Sequence, residues 1–125
     1  MPSWLKKEGV QERKVLVTYE ATYDIADTEE YIAVQFGDKR ADKYSKDIRK
    51  QLMDLSIKGT AYSKSGFKYR NYIIYKKPFS PAIIFWIIKE NSIHVLRVLR
   101  ENYNWQRYFR THRYYEYTYS DCAFV

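Results

Sequence analysis

Along this chain the spacing of apolar positions switches between two residues and three to four, and the switches mark out the elements. Val15-Leu16-Val17-Thr18-Tyr19 is β-branched and aromatic, without Gly or Pro, and predicts a first strand. From Glu20 the period becomes helical. Ala21, Ile25, Thr28, Ile32 and Phe36 fall on one face, and Gly37 ends that helix by tolerating a left-handed conformation. Asp38 is placed to cap a second helix, whose stripe Ala41, Tyr44, Ile48, Leu52 and Leu55 faces a core while Lys39, Arg40, Lys43, Lys46, Asp47, Arg49 and Lys50 form a charged outer side. With only Gly37 and Asp38 between them, the two helices must fold back as an antiparallel hairpin.

Gly59 to Gly66 reads as a polar loop, and after it the period returns to two. Phe67-Lys68-Tyr69-Arg70-Asn71-Tyr72-Ile73 predicts a half-buried strand. The two prolines in Lys76-Lys77-Pro78-Phe79-Ser80-Pro81 predict a connection, because proline removes a donor that a sheet interior needs. Ala82 to Ile88 is apolar throughout and reads as a central strand, Glu90-Asn91-Ser92 as a tight turn, and Ile93 to Arg100 as the last strand of an antiparallel meander. The expected architecture is therefore α+β: an N-terminal strand, an antiparallel two-helix hairpin and a three-stranded antiparallel meander. Residues 1–14 are expected to form an N-terminal arm, 15–109 the domain, and 110–125 an aromatic tail. In that tail Tyr115, Tyr117 and Tyr119 stand two apart, a spacing that suits an added short strand or a segment lying in a groove.

Composition narrows the class. At 125 residues the chain fits one domain, and 46% apolar with 18% aromatic residues can support a packed core. The 14 tyrosines suit half-buried sheet faces and interfaces. The first fourteen residues hold no apolar run of the length a signal peptide needs, and no stretch reaches the length of a membrane helix. Cys122 is the single cysteine, so no internal disulfide forms, and a cytoplasmic location is expected.

The net charge of +7 is unevenly spread. Val15 to Gly37 holds five acids and no Lys or Arg, whereas Ser56 to Lys77 holds Lys58, Lys64, Lys68, Arg70, Lys76 and Lys77 and no acid. Arg97, Arg100, Arg107, Arg110 and Arg113 follow. Such a field steers acidic partners, whether nucleic acid, an acidic protein segment or an anionic surface; a plainly solvated charged surface is the alternative. His94 and His112 lack ligand spacing, so no metal is expected, and no cofactor motif occurs.

The order of these segments resembles the RelE/ParE superfamily of bacterial toxins. TYEATYDIADTEEYIAVQFG is similar to the family's opening strand and helix, through Ala21, Asp24, Ile25, Tyr31, Ile32, Phe36 and Gly37. Ala41 and Tyr44 match the start of its second helix, and IHVLRVLRENYNW is similar to the closing strand of ParE-like members, with Arg100 where a His is common. The resemblance spans about residues 15 to 109.

Two activities are implied by the superfamily. The RelE branch cleaves messenger RNA on the ribosome, which requires a base, an acid and cations for the phosphate. Here Ala82 stands where that branch carries an arginine and Glu101-Asn102-Tyr103-Asn104 where it is cationic, which leaves Lys68, Arg70, Arg100 and Tyr103 as the candidates for any such catalysis. The ParE branch binds and inhibits DNA gyrase without catalytic residues. Under that reading Arg97, Arg100, Tyr103, Trp105 and Arg107 are the target-binding candidates, since arginine and aromatic residues dominate binding hot spots. For Arg97 a salt bridge to an acid of the first helix, and for Tyr103 and Trp105 packing on the fold, are the competing readings. The expectation is thus a gyrase-binding toxin neutralised by a cognate antitoxin. The alternatives are a ribosome-dependent ribonuclease and an inactive member that binds only its antitoxin.

Overall fold

The computed structural model describes residues 12–119. Strand β1 (Lys14–Val17) leads into helices α1 (Tyr19–Phe36) and α2 (Asp38–Lys58). Then come strands β2 (Lys64–Tyr69), β3 (Tyr72–Phe79), β4 (Ala82–Lys89) and β5 (Ser92–Arg100), and a short helix α3 (Trp105–Thr111). The five strands form one sheet in the order β1-β5-β4-β3-β2. β1 lies parallel to β5, and all other neighbours are antiparallel. The architecture is α+β, with the helical hairpin on one face of the sheet.

Both long helices form where the periodicity placed them, but their junctions differ in detail. Thr18 caps α1: its Oγ1 accepts the Ala21 N–H at 2.9 Å and donates to the Leu96 carbonyl at 2.7 Å, so one hydroxyl ties the helix start to β5. Ala21, Ile25, Thr28 and Ile32 are buried, but Phe36 is exposed. Asp38 does not act as the cap of α2. Gly37, at φ 97°, both ends α1 and begins α2, leaving Asp38 inside the first helical turn, where its charge still favours the positive end of the helix dipole.

The meander has four strands rather than three. Chain reversal occurs at Arg70-Asn71, with Arg70 at φ 55°, so the expected strand Phe67 to Ile73 is split between β2 and β3. β2 begins at Lys64, inside the expected loop. Lys76 to Phe79, expected as a connection, belongs to β3 and pairs with Ala82 to Phe85. Proline is tolerated there because β2 pairs with β3 only as far as Tyr75, which leaves Pro78 on an unpaired edge where no ladder bond is lost. The reversal itself falls at Ser80-Pro81.

Two buried layers result. Between helices and sheet lie Val15, Ile48, Leu52, Leu55, Ile84, Trp86, Ile93 and Val95, with the Trp86 Nε1 donating to the Gly59 carbonyl at 3.0 Å. On the opposite face Ile74, Phe85, Ile87, Leu96 and Leu99 are covered by Tyr108 and Phe109 of α3 and by Tyr117 beyond it. Each of these side chains contributes about 1.5–3 kcal/mol by burial.

The boundary drawn between residues 109 and 110 falls inside α3. From His112 the chain crosses the second face to Tyr119, where it makes an isolated bridge to Thr18. Of the expected arm, Lys14 is already in β1 and residues 1–11 lie outside the described residues, as do Cys122 and the tail beyond Tyr119.

Candidate functional site

β1 accompanies β5 only from Ser92 to Val95, so beyond that point the outer edge of β5 would present unpaired backbone groups. Asp24 of α1 covers it. Its Oδ2 accepts the Val98 N–H at 3.0 Å and the Arg97 Nε at 2.6 Å, and its Oδ1 accepts the Arg97 Nη2 at 2.8 Å. Leu96 is the extra residue of a bulge in the β4–β5 ladder, and past it Arg97 stands opposite Phe85. The guanidinium also lies 4.7 Å from the centre of the Tyr108 ring. Burial by itself works against the Arg97 charge, but the hydrogen bonds and negative charge of Asp24, with a smaller effect of Tyr108, outweigh it and hold the group charged more firmly than usual. The Arg97 guanidinium is thereby fixed by a bidentate ion pair.

Arg100, further along the same strand, stands directly across from Ala82. Its Nη2 is 3.3 Å from the Asp27 carboxylate and its guanidinium 4.8 Å from the centre of the Tyr31 ring. Ala82 is wholly buried, so the ribonuclease address is occupied by a methyl group packed in the core. Tyr103 is half exposed and meets Tyr108 edge-on at 6.3 Å. Trp105 packs against Phe85 at 5.1 Å and Phe67 at 6.0 Å, and Arg107 projects from the exposed side of α3. A cleft of about 270 Å³ between α1 and the exit of β5 gathers Asp24, Asp27, Arg97, Arg100, Asn102 and Tyr103.

The cations considered for RNA cleavage do not meet. Arg97 and Arg100 line this cleft, whereas Lys68 and Arg70 belong to β2 and its turn and line a different groove. Three strand spacings separate β5 from β2, roughly 14 Å. His112 stacks on Tyr108 at 4.2 Å, and its Nδ1 is 2.9 Å from the Tyr108 carbonyl. His94 is 2.9 Å from the Tyr119 hydroxyl, on the strand segment beside β1. Both carboxylates of the cleft are engaged by arginines. Among the described residues no group of His, Cys, Asp and Glu could hold a metal ion.

Asp24, Asp27, Tyr31 and Tyr108 build this site but were not singled out for it from the sequence. The spacing held a signal: Asp24, Asp27 and Tyr31 follow one another at three and four residues, beside the buried stripe of α1, and so must border whatever that helix covers.

A family model of the ParE toxin of the type II toxin-antitoxin system, parDE, matches residues 15–105. Among solved structures, a chain of the chromosomal ParDE toxin-antitoxin system from P. aeruginosa is similar in fold. Its TM-score is 0.61 and its identity 19%, over 71% of this chain and 96% of that one. No curated protein matches. No described helix is long and apolar enough to cross a membrane. Most of α3 and all of the strap to Tyr119 lie past the matched region, while the helical hairpin, the sheet and the cleft with Arg97, Arg100 and Tyr103 lie within it. The chain therefore belongs to the ParE toxin family of type II toxin-antitoxin systems.

Proposed function

We propose that this ParE toxin acts in the cytoplasm by binding and inhibiting DNA gyrase, without catalysis of its own, and is neutralised by a cognate antitoxin. The observation that carries this reading is the state of the β5 exit. A phosphoryl-transfer site needs free cations converging on one point and a base in reach. Here Arg97 is consumed by Asp24, Arg100 leans on Asp27 and Tyr31, and the opposing position is the buried Ala82. Arginine and aromatic groups held in this way make a rigid contact surface, which suits recognition.

The contacts assigned to the target are Arg100, Tyr103 and Arg107. Arg97 and Trp105 hold that surface in place from beneath. The functional unit is the domain from residue 15, completed by α3 and the strap.

Supercoiling by purified gyrase tests the proposal. Inhibition by stoichiometric protein, relieved by the antitoxin encoded with it, is expected, and unchanged supercoiling in large excess of protein refutes it. Ribosome toeprinting with the same preparation should show no cut in the message.

A further inference from the structure

On the far side of α3 from the β5 cleft, a groove of about 410 Å³ runs between the β2–β3 turn and the end of that helix. Lys68, Arg70, Arg110 and Arg113 line it together with Asn71 and Tyr114, and no acid does. Among the described residues Lys68, Arg110 and Arg113 have no acidic partner, and Arg70 has only a 3.7 Å contact to the highly exposed Glu116. The groove is built rather than incidental. The Arg70 N–H donates to the Arg113 carbonyl at 2.9 Å, which fixes the turn to the chain leaving α3, and the Tyr69 hydroxyl donates to the Tyr115 carbonyl at 2.5 Å. The buried Phe109 forms its floor, and Tyr114, 73% exposed, stands at its lip.

We propose that this groove binds the phosphodiester backbone of single-stranded nucleic acid, at a site separate from the gyrase-contacting surface. Four cations held by a fixed backbone repel one another, and a run of phosphates relieves that repulsion. Three of the four are arginines, whose planar fork matches phosphate oxygens in pairs. An acidic peptide would satisfy the charge equally well, but the exposed Tyr114 ring at the lip offers a nucleic acid a further contact. A base beside a bound phosphate can stack on that ring. Arg110, Arg113 and Tyr114 lie beyond the region matched by the family model, so half of the site is supplied by the segment that follows the family domain.

Fluorescence anisotropy with a labelled fifteen-nucleotide oligothymidylate reads the proposal directly, using the full chain without gyrase. Arg110→Gln combined with Arg113→Gln is expected to weaken binding about 30-fold and to reduce the slope of log affinity against log salt by about 1.4, at about 0.7 for each phosphate no longer neutralised. Tyr114→Ala is expected to weaken it about 10-fold. Lys46→Gln combined with Lys50→Gln removes the same charge from the exposed side of α2 and should change binding less than 3-fold, with all melting temperatures alike. Equal loss in both double variants reduces the effect to net charge and overturns the site. Tighter binding of a duplex or of an oligoglutamate of equal charge, or an unchanged Tyr114→Ala, overturns the assignment of the ligand.

Discussion

Replacing Asp24 with Ala removes three hydrogen bonds at once and strands three donors, two on the Arg97 guanidinium and the Val98 N–H. The side chains of Asp24 and Arg97 are 14% and 19% exposed, so the pair is largely but not wholly shielded. Breaking a fully buried pair from one side costs about 3–5 kcal/mol. Water reaching the residual surface of Arg97 lowers that to about 2 kcal/mol, and the Val98 N–H, left without its acceptor, adds about 1 kcal/mol. At about 4 °C per kcal/mol for a domain of this size, the total of about 3 kcal/mol lowers Tm by about 12 °C. Urea unfolding of Asp24→Ala, Arg97→Met and the double variant closes a thermodynamic cycle, with an expected coupling of about 2 kcal/mol. A coupling below about 0.5 kcal/mol refutes the structural role of the pair. Arg97→Met, assayed against gyrase at a temperature where it stays folded, should still inhibit. If it is fully folded and inactive, Arg97 is a target contact and the division of labour at the β5 exit is wrong.

Arg100→Ala and Tyr103→Ala should each raise the half-inhibitory concentration against gyrase by about 10-fold or more while moving Tm by under about 2 °C, since Arg100 is half-buried against an exposed Asp27 and Tyr103 is half exposed; a supercoiling titration beside a thermal melt separates the two effects. His94 is pushed below its ordinary pKa by burial first and by Lys89 second, against a smaller opposing pull from Glu90. The unfolded chain therefore binds this proton more readily than the folded one. Stability should fall as pH drops through about 6.5, the unfolded value, and level off below the folded one, and His94→Gln should flatten that part of a Tm-against-pH curve. Gly59→Ala would set its new methyl 2.8 Å from the Leu55 carbonyl oxygen and 2.6 Å from the Ile93 Cδ1, with a loss of about 1–3 kcal/mol in urea unfolding. Gly37→Ala meets no atom within 4 Å and should lose about 1–3 kcal/mol through its backbone of φ 97° and ψ 163° alone.

Elements whose burial leaves a regular pattern of apolar positions were legible in the sequence. α1 and α2 bury one stripe each, and β4, covered on both faces, is an unbroken apolar run. The β2–β3 hairpin was not legible, because Arg70 at φ 55° carries none of the usual turn chemistry and Pro78 occupies a strand position made permissible only by the end of β2. α3 is just seven residues long, too short for a period to show, although Asn104, whose side chain accepts the Arg107 N–H at 3.2 Å, is a cap signal in plain view. For the site, residue types were readable and pairings were not. A salt bridge from Arg97 to an acid of the first helix was one of two open readings, but nothing in VLRVLR singled out Asp24, more than seventy residues earlier.

The strap from α3 to Tyr119 bears on how such a protein is made. Thr118 meets Glu20 across 98 residues of sequence, and Tyr117 fills the second buried layer only once it has been synthesised. At about 5–20 residues per second on the ribosome, the helical hairpin exists for seconds before the far face of its sheet can be closed. A product cut short before Tyr108 leaves Phe85, Ile87, Leu96 and Leu99 as one open apolar surface, which invites proteases and aggregation. Whether synthesis has reached Tyr117 thus decides if the second apolar face of the sheet is covered or bare.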